Sequence, residues 1–275
     1  MMKRVAMIIA ATAIMSASAA ADPLTPRNMN DDEWRFSVST YVFAPVSTTG
    51  SSTIAGGEVD LDFDLADILD FLNLAIAGRG EAWKGDLGFI LDASYVDLGM
   101  GGDIGLPDPV GGTASIDVSI EQAWVSLMGA YRVAHGPYDA SGRRYSFDLQ
   151  AGARYNSLKQ KVDASIDIGP GPGVQTKLGG TETWWEPVIG ARGTIELSER
   201  WTAALMADFG GFGVGGDDLQ WRVLGVMGYR PWENTSLKFG WQFYGIDFST
   251  NKSDGKFAYD GFQTGPYLAL TYQFQ

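Results

Sequence analysis

Cysteine is absent from the chain, and histidine occurs once, as His135. Without cysteine there is no disulfide framework, no thiolate metal site and no lipid-anchored lipoprotein leader. Past the first twenty or so residues no apolar run is long enough for a transmembrane helix, which needs about 20 residues. A membrane protein with this sequence therefore has to cross as a closed barrel, since only helices and barrels satisfy every backbone group in lipid. Positive charge is also scarce: 20 Lys and Arg stand against 33 Asp and Glu. That balance disfavours nucleic acid as a partner.

What is present first is an export signal. Lys3 and Arg4 precede the apolar stretch VAMIIAATAIM, and SASAAA supplies small residues before Asp22. This pattern predicts a secretory signal peptide over 1–21, cleaved after Ala21 or Ala19. A short periplasmic segment over 22–33 and a single large β domain over 34–275 would follow. Loss of Lys3 and Arg4 leaves 18 basic against 33 acidic residues, an excess that suits solvated loops.

The mature chain alternates. In RYSFDLQAGARYNSL, Tyr145, Phe147, Leu149, Ala151, Ala153 and Tyr155 form one set, and Ser146, Asp148, Gln150, Gly152, Arg154 and Asn156 the other. A strand sends these sets to opposite faces. Nine further segments alternate in the same way, beginning at Trp34, Asn73, Asp86, Ser115, Trp184, Trp201, Leu219, Ser236 and Gly265. Ten such segments without a long helical pattern predict an all-β, antiparallel, up-and-down barrel. The expected strand count is ten, with eight or twelve as alternatives; twelve results if Ser47 to Asp64 adds a hairpin. Connectors mostly alternate long (47–72, 100–114, 164–180) and short (Lys84 to Asp86, Ser198 to Arg200, PWEN), as outer-membrane barrels do. AHGPYDASGR reads as a periplasmic turn.

Alternation also fits a soluble sandwich or barrel. Lipid is favoured because aromatics bracket aliphatic residues on the apolar face, as from Tyr145 to Tyr155, Trp185 to Leu197 and Trp221 to Tyr229. Charge meanwhile sits in mid-strand on the polar face. The signal peptide, the ten strands and the closing YLALTYQF resemble the Gram-negative outer-membrane β-barrel proteins. The segment from Met206 to Phe248 resembles the C-terminal half of a small, functionally uncharacterised barrel family. One departure is that Gln275 follows the terminal aromatic Phe274. The resemblance implies residence in the cell outer membrane, contact with its lipid, and delivery by the barrel-assembly machinery through the C-terminal strand. It specifies neither oligomeric state nor solute.

The polar faces supply a predicted lumen set. Arg79, Glu81 and Asp92 come from the first half of the chain, with Glu121, Asp148 and Arg154. Glu186, Arg192, Asp208, Arg222 and Lys238 come from the second. Buried charges must pair, so this set predicts either a cross-lumen network filling a narrow barrel or a charged pore. Arg154, Arg192 and Arg222 are expected to pair with Asp148, Glu186 and Asp208. The leading expectation is a structural or interaction barrel with a filled lumen. A narrow solute channel and a soluble periplasmic ligand-binding barrel are the alternatives.

Catalysis finds no constellation. The lone His135 falls in a turn with no evident nucleophile partner, and GGFGVGG lacks the Lys-Ser/Thr of a phosphate loop. No enzyme, cofactor or catalytic residue is expected. In GEVDLDFDLADILDFL, Asp60, Asp62 and Asp64 alternate and offer a weak calcium candidate. The competing expectation is a strand into Asp64, which then caps a short helix with Leu65, Ile68, Leu69 and Leu72 as its apolar stripe.

Overall fold

The computed structural model describes residues 33–105, 113–167, 173–253 and 255–274. The expected leader, most of the segment over 22–33, and Gln275 lie outside these residues. In chain order the elements are β1 (Arg35–Phe43), β2 (Ser47–Ile54), β3 (Gly57–Asp64), α1 (Leu65–Phe71), β4 (Leu72–Lys84), β5 (Leu87–Gly105) and β6 (Thr113–Pro137). They continue as β7 (Arg144–Asp167), β8 (Val174–Glu196), β9 (Trp201–Val214), β10 (Asp217–Trp232), β11 (Thr235–Lys252) and β12 (Gly255–Phe274).

Each neighbouring pair is antiparallel, and β1 closes the ring on β12 through Phe36↔Phe274 to Phe43↔Tyr267. Ten strands, β1 and β4 to β12, make this ring. The remaining two, β2 and β3, form the hairpin foreseen as the twelve-strand alternative. Where β1 ends, β2 takes over as partner of β12 from Ser47↔Thr264 onward, and β3 returns beside β2. The handover requires glycine at position 50. Its φ is +145°, and a Cβ there would lie 1.9 Å from the Asp260 carbonyl oxygen.

The strands are far longer than a bilayer needs. β6, β7 and β8 have 25, 24 and 23 residues, against the roughly 9–11 that cross a membrane. This corrects the predicted connectors. Residues 100–105, 113 and 114, 164–167 and 174–180 are strand rather than loop, and the wall runs well past the bilayer. The AHGPYDASGR turn is likewise shorter than expected. β6 runs through His135 to Pro137, and the link to β7 is only Tyr138 to Arg143.

The extension reverses the polarity of the wall. In the lower barrel Phe89, Leu127, Leu149, Ile189, Leu205 and Leu268 are exposed on the outer face, while the inner face holds charge. Above Tyr155 and Trp185 the outer face carries Glu121 beside Lys159, and Asp163 beside Lys177. There Leu158, Trp184 and Phe248 turn inward. A wall facing hydrocarbon must be apolar outside, whereas a wall facing water buries its apolar side within. The sign change marks where the strands leave the membrane.

α1 forms as the acidic run predicts. Asp64 Oδ1 accepts from the backbone N–H groups of Ala66 at 2.7 Å and Asp67 at 3.0 Å, and Asp67 Oδ2 accepts from Asp64 N–H at 3.1 Å. This is a capping box with Asp in the place of the usual Glu. Ile68 is buried. Because an isolated helix of two turns is unstable, Asp64→Ala, at a cost of about 0.5–2 kcal/mol, is expected to speed amide exchange across α1 while barrel melting stays unchanged. Unaltered exchange would show that packing of Ile68, not the cap, holds the helix.

Candidate functional site

Even-numbered residues of β5 to β8 face the interior, and their charges meet across it. Arg132 Nε donates to Asp148 Oδ1 at 2.7 Å, and Arg192 Nη2 to Asp148 Oδ2 at 2.8 Å. Arg192 Nη1 reaches Glu81 Oε1 at 2.8 Å, which also accepts from Arg79 Nε at 2.7 Å. Arg79 Nη1 continues to Asp92 Oδ2 at 3.0 Å, shared with Arg222 Nη2 at 3.1 Å. Arg222 Nε meets Asp208 Oδ2 at 2.8 Å. Asp208 Oδ1 accepts from Arg154 Nη2 at 2.6 Å, and Arg154 Nη1 ends the series on Glu186 Oε1 at 3.2 Å.

These contacts form one unbroken alternating chain of five guanidiniums and five carboxylates, with no net charge. Asp148 is 0% exposed, and Arg192 and Glu186 are each 1% exposed. A side chain lining a water-filled pore would be open to solvent, so this level of the lumen is packed.

Aromatic rings and neutral donors complete it. Trp83 lies under Arg132 at 4.6 Å and Arg192 at 5.5 Å, and Trp124 under Arg154 at 5.1 Å and Arg222 at 5.3 Å. Such faces attract desolvated cations. Trp83 Nε1 donates to Glu81 Oε2 at 2.9 Å, Tyr41 Oη to Asp92 Oδ1 at 2.9 Å, and Arg154 Nε to Ser126 Oγ at 2.9 Å.

Above the charges comes a neutral polar level. Gln122 Nε2 donates to Tyr244 Oη at 2.9 Å, and Gln160 Nε2 reaches across to Ser52 Oγ of the hairpin at 2.9 Å. Interleaved with these groups, Leu61, Leu158, Trp184, Tyr244, Ile246, Phe248, Phe257 and Tyr259 form an apolar cluster that caps the charges. The Trp184 and Phe248 rings stack at 3.9 Å. Leu61 belongs to β3, so the added hairpin supplies part of this cap.

Of the predicted lumen set, nine residues enter the chain: Arg79, Glu81, Asp92, Asp148, Arg154, Glu186, Arg192, Asp208 and Arg222. Lys238 is buried on the inner face of β11, outside the chain. Glu121 is a correction: it lies on the outer face of the extension, paired with Lys159. Its strand mates Ile116, Val118, Ile120 and Trp124, expected to meet lipid, share the inward face with Ser126 and Met128. A single polarity along the whole strand would place them outside, and here the polarity reverses.

Sequence inspection missed Arg132, the first member of the chain. It is the last residue of the alternating segment that begins at Ser115, just before a register shift between Arg132 and Ala134. Counting by twos from Ser126 through Met128 and Ala130 reaches it.

Among the described residues no three metal-ligating side chains are grouped to hold an ion, because Asp60, Asp62 and Asp64 are spread along β3 and Asp64 is occupied as the helix cap. His135 Nε2 stands 3.4 Å from Asp86 Oδ1 at the rim that carries the short β4–β5 and β6–β7 turns.

No protein-family model and no curated protein matches the chain. Among solved structures it is similar to the outer membrane protease OmpT from Escherichia coli, at 12% identity over 89% of this chain and 98% of that one, with a TM-score of 0.49. It is also similar to the translocator domain of the autotransporter NalP from Neisseria meningitidis, at 13% identity over 90% of each chain and a TM-score of 0.38. A third similar structure is Ail, the attachment invasion locus protein of Yersinia pestis, at 12% identity over 88% of this chain and 99% of that one, with a TM-score of 0.29.

Proposed function

We propose that this chain is an integral outer-membrane barrel whose lumen is closed and whose work is done at its extracellular wall, as a structural or interaction protein without catalysis. The continuous ten-member charge chain carries this reading. Opening a path along the axis would separate paired ions in a poorly hydrated interior, at several kcal/mol for each stranded charge. The apolar cap above it adds a second closure that water and ions do not favour. The exposed aliphatic band on the outer face supports lipid rather than periplasmic water as the surroundings. The aromatic closing strand supports delivery by the barrel-assembly machinery.

Planar-bilayer recording on the refolded protein tests this. No steady current is expected at potentials where porins conduct, from the wild type or from Trp184→Ala, because the charge chain remains below the cap. A stable unitary conductance in the wild type would refute the closed lumen and establish the narrow channel instead.

A further inference from the structure

Among the described residues the extended wall has unpaired edges, along the upper part of β8, which above Val188 pairs with β7 alone, and beside β3. Every strand of the ring has two neighbours, but β3 stands at the end of the strand order and pairs with β2 alone. On the other side of the gap beside β3, β4 pairs with β5 only as far as Leu72↔Leu98. Above that, Gly99 to Gly105 of β5 pair with β6 alone. These two backbone edges face one seam without a partner among the described residues, and they run in opposite directions along the wall. α1 touches both β3 and β5 and lies at the foot of the seam.

An unpaired edge offers a row of backbone donors and acceptors to an incoming strand. The side chains on each side of it define what that strand must be. On β3, Glu58, Asp60 and Asp62 are exposed on the outer face, while Leu61 and Phe63 turn inward to the apolar cap. On β5, Asp103 is exposed on the outer face as well.

We propose that this seam takes up an extended cationic peptide by strand addition. Lys or Arg at alternate positions would meet the carboxylates, and apolar residues between them would meet the cap. A second copy of this chain is disfavoured as the occupant, because pairing β3 with β3 would set its acidic residues against one another. The proposal rests on the reading that this barrel works at its extracellular wall, and it names the partner class.

The test uses the full barrel in detergent or nanodiscs and a labelled, end-capped peptide of four Lys-Val repeats, followed by fluorescence polarisation. Two comparison peptides are a block version with four Lys followed by four Val, and the alternating peptide N-methylated at alternate backbone amides. The alternating peptide is expected to bind at least tenfold more tightly than either. The barrel variant Asp60→Lys with Asp62→Lys is expected to lose at least tenfold in affinity with its melting unchanged.

Equal binding of all three peptides to the wild type would reduce the effect to charge attraction and overturn strand addition. So would no binding, or cross-linking of wild-type barrels through β3. The peptide comparison on the wild type does not depend on the variant folding. Absence of peptide binding with a silent bilayer recording would sink this proposal and leave the closed lumen standing, so the two fail separately.

Discussion

Arg192→Ala is expected to destabilise the folded barrel by about 3–5 kcal/mol, the largest loss of any single charge in the chain. Arg192 alone joins Asp148 to Glu81, and its removal leaves five buried carboxylates to four guanidiniums, with Asp148 held only by Arg132 and Glu81 paired only with Arg79 where no solvent reaches. The barrel cannot relieve this by opening, because both acids are fixed on strands held by continuous pairing. Arg132→Ala should cost less. Asp148 then keeps two hydrogen bonds from Arg192, at 3.0 and 2.8 Å. Equilibrium unfolding in urea with lipid vesicles, or melting in detergent, gives the order directly. A loss at Arg192 of only about 0–1 kcal/mol, the range of solvent-exposed pairs, would show the site to be hydrated and would refute the packed lumen.

Trp83→Ala is expected to cost about 3–5 kcal/mol as well, through a different mechanism. Trp83 is 0% exposed and packs with Ile90, Met128, Ala130 and Val188 at the end of the lumen nearest the short turns. Gly88 exists as glycine to receive it: a Cβ there would lie 2.7 Å from the indole ring. Removing the indole leaves a cavity, takes the hydrogen bond from Glu81, and uncovers Arg132 and Arg192. Trp83→Phe keeps most of the ring face but not the N–H. Its loss should be that of one hydrogen bond to a charged group, about 1.5–3 kcal/mol, because Glu81 Oε2 still accepts from Arg192 Nη1 at 3.0 Å. If the alanine variant melts within about 1 kcal/mol of wild type, the aromatic floor is not part of what holds the charges in place.

Much of this molecule is written in residues two apart. The alternation from Tyr145 to Tyr155 is enough to assign Leu149 to lipid and Asp148 and Arg154 to the interior, since the pleat leaves each strand only two faces. Helix α1 is equally local, because Asp64 and Asp67 form its cap with their own neighbours. Nine of the ten charges in the lumen chain follow from the same count. The partners do not. Arg192 has Glu186 and Glu196 on its own strand face, yet it bonds to Glu81, 111 positions away, because strand register and barrel closure decide which inward side chains share a level.

Depth in the membrane is the other property that no segment contains. Ile116, Val118, Ile120 and Trp124 alternate as faithfully as Leu149 does, but they turn inward. Glu121 alternates like a lumen charge, but it faces out. The sequence by itself determined a closed antiparallel barrel with charge within, because pleat parity is local. The tertiary structure decided where the wall leaves lipid and reverses its polarity, how the charges join into one neutral chain, and where β3 is left with one neighbour instead of two. Those depend on register summed around the ring.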